Sequence, residues 1–404
     1  MRLALPLLLL AACAPLGPSP CERLKTDLSR CLGTSAARLD CSTVADADVE
    51  RLESLIEGSS CEQIVSAIPL DGEMASATCR AFGVGCVAPL SPAPVAAPTR
   101  YPLVLVNGID TSPLFRYSNR IVDTLTTEGG QSVYLATLTP WEPPTVRAPE
   151  LWSRVKQVLQ ASGAEKVNLI CHSLGGLDCR YLVSPNGLAL DANDGSIAGT
   201  IASITTVGTA HRGTRVADVL LGELPDQHRG ELIDDFASVA GDWFSDQAIR
   251  EDANVSAALH ALSTDQAAAF NLEITDAPGI YYQSFAGFSR PFAESNAALD
   301  ARATAECQPD EPSAATTSAH AVDAMSLVLA PFDQVVGTEG DVLQPHDGLV
   351  TVTSAKWGNF RGCVPADHME QLGQRNLPDV NVLTGVDVAR FYAAVAADLA
   401  GRGL

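Results

Sequence analysis

Between residues 100 and 404, short apolar runs alternate with segments whose apolar residues recur at helical spacing. Four of the runs have the length and composition of buried strands: residues 101–106, 132–138, 166–171 and 201–207. Helices are predicted over residues 150–160 and 387–399, where the apolar side chains share one face. Strands that alternate with helices indicate βαβ units and a mostly parallel sheet, so the sequence predicts an α/β domain over residues 100–404.

The first twenty residues (1–20) predict an export signal and a tether. Arg2 precedes a run of mainly leucine and alanine over residues 3–12, which is too short to span a bilayer. The run ends in Leu10-Ala11-Ala12-Cys13, which resembles the bacterial lipobox, whose cysteine is lipidated and becomes the first residue. We therefore expect a lipoprotein anchored to a membrane through Cys13 and facing the periplasm or the cell exterior. Ordinary signal cleavage nearby, which would give a secreted protein, is the alternative.

Residues 21–88 are dense in cysteine and contain two short segments of helical pattern. Six cysteines fall in this stretch: Cys21, Cys31, Cys41, Cys61, Cys79 and Cys86. In an exported chain they predict three disulfides, but six cysteines allow fifteen pairings and the sequence does not choose among them. We interpret the stretch as a small disulfide-rich helical module, acting as a spacer or stabilising cap rather than as a binding module. Prolines among alanines and serines make residues 89–99 a semi-rigid linker.

The composition and net charge of the chain restrict the classes of molecule that it is expected to bind. The chain has 404 residues, of which 46% are hydrophobic, enough for one large domain and a small one. Its formal net charge is −22, and an acidic surface repels phosphate backbones. Nucleic-acid binding is therefore not expected, and a neutral or cationic substrate is favoured over an anionic one.

Four more cysteines lie in the α/β domain. We expect Cys307 and Cys363 to bridge two of its loops. Cys171 and Cys179 are interpreted as small buried residues, and a bond between them stays open.

The strand predicted at 166–171 runs into Cys171-His172-Ser173-Leu174-Gly175, and helix-forming sequence follows. A strand that ends in a sharp turn and lifts a serine hydroxyl above the sheet is a nucleophile elbow. The turn crowds the backbone, so the positions two before and two after the serine must be small. Cys171, in place of the usual glycine, and Gly175 meet this requirement. An ordinary strand-to-helix turn is the alternative, which the preceding strand and following helix disfavour.

A serine hydroxyl needs a base to accept its proton and an acid to orient that base. In α/β-hydrolases the chain order is serine, acid, histidine. We assign the acid to Asp347, which precedes a glycine and a strand-like run, although Asp-Gly is also common in plain turns. We assign the base to His368, because it is the one of seven histidines that follows this acid with a loop between them.

Ester hydrolysis also needs N–H donors aimed at the oxyanion of the tetrahedral intermediate. We assign one donor to the backbone of Leu174, which follows the nucleophile. The second is assigned to the backbone of Ile109, in the loop that follows the first strand. Gly108 gives that loop its conformational freedom.

Several segments, taken in chain order, resemble the bacterial true lipases, secreted triacylglycerol lipases of the α/β-hydrolase class. They cover much of residues 101–400 and are 167–177, 206–214, 258–263, 281–287, 347–350 and 368–370 with Gln374. The resemblance implies an α/β-hydrolase fold in which Ser173, Asp347 and His368 form a catalytic triad. It implies acylglycerols or other water-insoluble esters as substrates and no cofactor for the chemistry. It also places a helical lid over the acyl pocket at about residues 214–275.

The family's calcium site is matched in part. The resemblance places its ligands at Glu370, where the family has aspartate, at Gln374, and at a position that falls on His320 or Asp323. Because histidine suits calcium poorly, the predicted structural calcium site uses Asp323, Glu370 and Gln374. The alternative is that these groups only hydrogen-bond and steady the loop of His368. Many family members need a dedicated foldase, and the sequence leaves that question open.

The sequence therefore predicts a serine carboxylic ester hydrolase of the triacylglycerol lipase type, acting through an acyl-enzyme on a neutral lipid or ester. Polyester depolymerase, phospholipase and acyltransferase activities are alternatives, since they use the same machinery. A further alternative is a non-catalytic surface binding protein on a hydrolase scaffold, in which residues 21–88 carry the function.

Overall fold

The computed structural model describes most of residues 97–404. The described residues are 97–111, 115–188, 197–223, 253–291, 296–316, 323–325, 329–339, 342–373 and 386–404, with Arg23, Gly230 and Ile233. The chain divides into two units, Met1–Gly85 and Cys86–Leu404, and the described residues other than Arg23 belong to the second. The predicted signal with Cys13, the module of residues 21–88 and residues 89–96 of the linker lie outside the described residues.

A six-stranded parallel sheet forms the centre of the described unit. The described residues contain ten strands in all, six of which form this sheet. They are β1 (Leu103–Val106), β2 (Val133–Ala136), β3 (Val167–His172), β4 (Ile201–Val207), β5 (Tyr281–Gly287), β6 (Ser289–Pro291), β7 (Asp323–Met325), β8 (Thr338–Glu339), β9 (Val342–Leu343) and β10 (Asn359–Val364). The sheet has the order β10-β5-β4-β3-β1-β2, and each neighbouring pair is parallel. The strands β6 with β7 and β8 with β9 form two small separate pairs.

Parallel neighbours cannot be joined by tight turns, so helices fill the connections. The helices are α1 (Asn119–Asp123), α2 (Pro144–Ser162), α3 (Leu174–Val183), α4 (Arg215–Leu221), α5 (Ala253–Leu262), α6 (Thr264–Glu273), α7 (Ala297–Glu306), α8 (Asp333–Gly337), α9 (Val352–Ala355) and α10 (Val388–Gly401). In addition, α1 continues into a π-helical turn over Thr124–Glu128.

The two faces of the sheet are buried in two separate apolar cores, because successive side chains of a strand point to opposite faces. Leu103 and Leu105 of β1 belong to a core that includes Phe391 of α10. Val104 and Val106 belong to a second core with side chains of α2 and α3. A parallel sheet between two helical layers confirms the predicted α/β-hydrolase fold class for the described domain.

Most predicted elements lie within two residues of their observed bounds, and β4 coincides with the predicted run 201–207. Helix α2 is the exception, because it was predicted from residue 150 and begins at Pro144. Proline fits the first turn of a helix, where its missing N–H has no partner to lose. Pro149 lies inside the helix.

The strand-like run predicted after Asp347 is wrong, because these residues form a turn. One carboxylate oxygen of Asp347 accepts the backbone N–H groups of Leu349 at 3.0 Å and Val350 at 2.8 Å. Such side-chain to backbone bonds compete with extended structure and coil the chain locally. Helix α9 begins two residues after this turn.

The predicted lid, at about residues 214–275, is described at its two ends. Helix α4 lies at the start of this range, and α5 and α6 lie at its end. Residues 224–252, apart from Gly230 and Ile233, lie outside the described residues. None of the helices in the described part of the chain combines the length and apolar character needed to cross a bilayer.

Candidate active site

Ser173 occupies a strained turn between β3 and α3. Its backbone has φ 54° and ψ −130°, a region that non-glycine residues rarely adopt. Such a conformation costs about 1–3 kcal/mol and persists where the surrounding structure enforces it. Close approach supplies that enforcement, because a Cβ added to Gly175 would lie 2.6 Å from the Asn107 carbonyl oxygen. The turn predicted from the sequence is thus present, and it packs tightly against the loop after β1.

The structure brings the three predicted side chains together. Nδ1 of His368 lies 2.8 Å from Oδ2 of Asp347, and Nε2 lies 2.9 Å from Oγ of Ser173. A carboxylate only accepts hydrogen bonds, so Nδ1 carries the proton and Nε2 is free to accept the serine hydroxyl. All three residues are buried, although they are up to 195 positions apart in the chain. The arrangement permits a proton to move from Ser173 to His368.

The carboxylate of Asp347 is held in its ionised form. Burial acts to raise the pKa of Asp347, but the charge and hydrogen bond of His368, together with bonds from Gln371 and Val350, keep it below its ordinary value. Nε2 of Gln371 donates to Oδ2 at 2.8 Å. Gln371 was missed in the sequence, where no pattern distinguishes it from other residues of the loop. An ionised, buried acid can stabilise a positively charged His368.

His172 holds the backbone of His368 through a hydrogen bond. Its Nε2 donates to the carbonyl oxygen of His368 at 3.0 Å, and the centroids of the two rings are 4.6 Å apart. Burial, and then the charge of His368, lower the pKa of His172 well below its ordinary value. The ring is therefore neutral and serves as a donor. The sequence placed His172 on the strand before the nucleophile and gave it no contact with His368.

The two predicted oxyanion donors belong to two different segments beside Ser173. Leu174 is the first residue of α3, and Ile109 lies in the loop of residues 107–110, which we name the oxyanion loop. Both residues are buried. A Cβ added to Gly108 would lie 2.9 Å from Cβ of Ser173, so only glycine lets this loop come so close. The oxyanion loop therefore lies directly against the turn of Ser173.

A buried ion pair supports the oxyanion loop. Nε of Arg147 lies 2.8 Å from Oδ2 of Asp178, and Nη2 donates to the carbonyl oxygens of Asn107 at 3.0 Å and Gly108 at 2.7 Å. Burial raises the pKa of Asp178 to about 6, against the lowering effect of Arg147. Asp178 is thus charged at neutral pH. The sequence missed this pair, because its partners are 31 residues apart and lie on different helices.

Two disulfides lie in the described domain. Cys307 is bonded to Cys363, as predicted, but the bond joins the end of α7 to β10 rather than two loops. Cys171 is bonded to Cys179, which the sequence analysis had interpreted as small buried residues. Their spacing of eight residues places one cysteine on β3 and the other on α3. The second bond therefore encloses the turn of Ser173.

The predicted calcium ligands are described only in part. Glu370 is buried, and its N–H donates to Oδ1 of Asp367 at 2.7 Å. Asp323 is described by its backbone alone, in β7, and Gln374 lies outside the described residues. Within the described ranges, no cluster of three His, Cys, Asp or Glu side chains is arranged to hold a metal ion. Calcium binding stays a prediction.

A cavity of about 490 Å³ lies beside the turn that carries the acid. Its walls are partly polar and include Arg212, Arg215, Thr351 and Ser354. Ser173, Asp347 and His368 are not among the residues that line it.

No protein-family model matches the chain. A triacylglycerol lipase of Burkholderia plantarii is 37% identical over 207 residues, which cover 47% of this chain and 54% of that protein. A triacylglycerol lipase of Pseudarthrobacter phenanthrenivorans is 37% identical over 187 residues, which cover 43% of this chain and 54% of that protein. The chain thus spans about half the length of these curated relatives and is similar to bacterial triacylglycerol lipases over that half.

Among solved structures, the Staphylococcus hyicus lipase aligns with 78% of this chain and 98% of its own length. The TM-score is 0.49 and the sequence identity 17%. A likeness this distant carries no argument about activity.

Proposed function

We propose that the chain is a serine carboxylic ester hydrolase of the triacylglycerol lipase type. The observation that carries the proposal is the position of His368, whose ring bridges Ser173 and Asp347 through contacts of 2.9 and 2.8 Å. A base within hydrogen-bonding distance of a hydroxyl, and itself oriented by a carboxylate, is the arrangement that activates a serine. The similarity to triacylglycerol lipases supports the same activity.

In the proposed acylation step, Oγ of Ser173 attacks the ester carbonyl carbon while its proton moves to Nε2 of His368. The carbonyl oxygen becomes an oxyanion, toward which the backbone N–H groups of Ile109 and Leu174 donate. The bond from carbon to the alcohol oxygen then breaks, and His368 gives its proton to that oxygen. The alcohol leaves, and Ser173 carries the acyl group as an ester. Asp347 stays ionised and stabilises the imidazolium.

Deacylation repeats these steps with water as the nucleophile. His368 takes a proton from the water as its oxygen attacks the acyl carbon, and the same N–H groups donate to the oxyanion. The bond from the acyl carbon to Oγ breaks, His368 returns the proton to Oγ, and the carboxylic acid is released. Neither step needs a cofactor.

The proposed substrate is a neutral ester with an apolar acyl chain, such as an acylglycerol. A net charge of −22 repels anionic headgroups, which favours acylglycerols over anionic phospholipids. The activity in the names of the two bacterial relatives supports the same choice.

We also propose that the protein is exported and anchored through a lipid on Cys13. The Cys171–Cys179 and Cys307–Cys363 disulfides support export, because such bonds persist in oxidising compartments. Growth with an alkyne-bearing fatty acid tests the anchor. The wild type is expected to incorporate the label and Cys13→Ser to lack it, whereas equal labelling of both would contradict anchoring at Cys13.

The activity is tested with purified protein on emulsified triacylglycerol, a soluble nitrophenyl ester, phospholipid vesicles and a polyester film. We expect the wild type to hydrolyse triacylglycerol and the nitrophenyl ester. Ser173→Ala is expected to lose both activities and to unfold at the temperature of the wild type. Turnover that survives in Ser173→Ala contradicts the role of Ser173.

The same panel separates the alternatives. Preference for the phospholipid or the polyester would reassign the substrate, and transfer of the acyl group to an added alcohol rather than to water would indicate an acyltransferase. A folded wild type that turns over none of the substrates would favour the binding-protein alternative.

A further inference from the structure

The turn of Ser173 is closed by a covalent bond between its two arms. We propose that the Cys171–Cys179 disulfide, which we name the elbow disulfide, is a positioning device for the nucleophile; this inference rests on the proposed function of Ser173. The elbow disulfide keeps Oγ aligned with His368 and keeps the Leu174 N–H aligned with the oxyanion.

The first arm of the turn is fixed by the sheet. Cys171 lies two residues before Ser173 in β3, and it is paired with Val106 of β1 and Thr206 of β4. A residue held between two neighbouring strands has a fixed backbone position. The sulfur of Cys171 is therefore a rigid point from which the other arm can be held.

The second arm is the first part of α3. Cys179 is the sixth residue of that helix, and its side chain lies with that of Cys171 in the core shared with α2. The bond thus closes a ring that contains His172, Ser173 and Leu174. The start of α3 cannot shift along or away from β3 without stretching this ring.

Without the elbow disulfide, the strained turn of Ser173 would tend to relax. Ser173 has φ 54°, an unfavourable conformation for a residue with a side chain. A change toward an ordinary backbone conformation would swing Oγ away from Nε2 of His368, which now lies 2.9 Å from it. Hydrogen bonding restrains the turn through the Ser173 N–H, which donates to the Val207 carbonyl at 3.0 Å. The elbow disulfide adds a restraint on the side of the helix.

The elbow disulfide is also connected to the oxyanion loop through a series of side-chain contacts. Asp178, the neighbour of Cys179, pairs with Arg147, and Arg147 donates to the carbonyls of Asn107 and Gly108. Movement of α3 at Cys179 would therefore displace both the nucleophile and the loop that carries Ile109. Loss of the bond should lower kcat rather than raise KM, because it disturbs groups that act in the transition state.

The test compares Cys171→Ala/Cys179→Ala with a matched control, Cys307→Ala/Cys363→Ala, which removes the other disulfide of the same domain. Both are measured below the unfolding temperature of every variant, for kcat and KM on a soluble nitrophenyl ester and for the rate of labelling by a fluorophosphonate. We expect the elbow variant to lose about tenfold to a hundredfold in kcat and labelling rate, since a displacement of about 1 Å can cost about a hundredfold. The control should keep both rates, because the backbone of His368 is held by Asp347 and His172.

A merely structural role would give a different pattern. In that case both double variants would unfold at lower temperature, and below that temperature they would keep wild-type rates. The positioning role also predicts an unchanged pH midpoint of kcat, because the contact of His368 with Asp347 is left intact. Equal labelling rates in the wild type and the elbow variant would overturn the proposal, whereas a wild type that takes up no probe would overturn the proposed function itself.

A second variant covers the case in which the double alanine variant does not fold. Cys171→Gly/Cys179→Leu puts glycine at the position where elbows usually have it and fills the apolar core on the helix side. It is expected to fold and to show the same loss of kcat with a KM close to that of the wild type. Full wild-type kcat in this variant would show that small size at residue 171 is sufficient and that the bond has no positioning role.

Discussion

Arg147 and Asp178 form an ion pair in which neither side chain is exposed to solvent. The pair joins α2 to α3, and the same guanidinium donates to two carbonyl oxygens of the oxyanion loop. The loop that is proposed to stabilise the oxyanion is thus held by the charge of Arg147 on α2, which is balanced by the charge of Asp178 on α3.

Replacement of Arg147 by methionine is predicted to lower the free energy of unfolding by about 3–5 kcal/mol, because Asp178 would stay buried without its partner, whether it remains charged or takes up a proton. The kcat should fall as well, since the carbonyls of Asn107 and Gly108 lose their donor. Urea unfolding and ester hydrolysis measure the two effects. Arg154→Met is the control on the same helix: its guanidinium is partly exposed and lies 3.8 Å from Glu150. That variant should stay within about 0.5 kcal/mol of the wild type, and equal losses in the two variants would contradict the account.

Gly108→Ala tests the contact between the oxyanion loop and the nucleophile. The new Cβ would lie 2.9 Å from Cβ of Ser173, so the loop must move away. We predict a fall in kcat of about a hundredfold, comparable to the loss of one oxyanion donor. Gly401→Ala, where an added Cβ meets open space, should leave kcat unchanged. An active Gly108→Ala enzyme would show that Ile109 does not supply the donor.

The depressed pKa of His172 predicts a pH-dependent stability. A buried histidine that stays neutral while the unfolded chain takes up a proton loses stability as the pH falls below the unfolded value of about 6.5. His172→Gln retains a donor for the His368 carbonyl and does not titrate. The advantage of the wild type over this variant in unfolding free energy should therefore shrink by about 2 kcal/mol between pH 8 and pH 5. A difference that does not change with pH would rule out a neutral, buried His172.

Gln371→Leu removes a hydrogen bond to a buried carboxylate, which is worth about 1.5–3 kcal/mol. Gln371 helps to hold the pKa of Asp347 below its ordinary value. A depressed pKa stabilises the fold above the unfolded value of about 3.9, and this stabilisation is lost as the pH falls through the folded value. The wild type should therefore exceed Gln371→Leu in stability at pH 7 and by a smaller margin at pH 3. A margin that grows as the pH falls would contradict this role of Gln371.

The features that the sequence predicts well are those set by neighbouring residues. The apolar run of 201–207 gave the bounds of β4, and the small residues around Ser173 predicted the turn. Asp347 and His368 were selected by chain order and by resemblance, and the structure places their side chains in contact with each other. Their catalytic role is the proposal made above.

The features that the sequence did not show depend on which helices and loops pack together. Arg147 and Asp178 resemble the polar residues of any amphipathic helix until α2 is seen to cross α3. Gln371 has a role only because its loop folds back on Asp347. The bond between Cys171 and Cys179 was left open, because a spacing of eight residues does not place two cysteines at bonding distance unless the chain turns between them. The sequence pattern places the start of α2 at residue 150, later than its observed start at Pro144.

The mass of the purified protein after reaction with a fluorophosphonate tests the proposed triad most directly. The account predicts one adduct, on the peptide that contains Ser173, together with its absence in Ser173→Ala and labelling slowed about a thousandfold or more in His368→Ala. A folded wild type of unchanged mass, or an adduct on another serine, would contradict it.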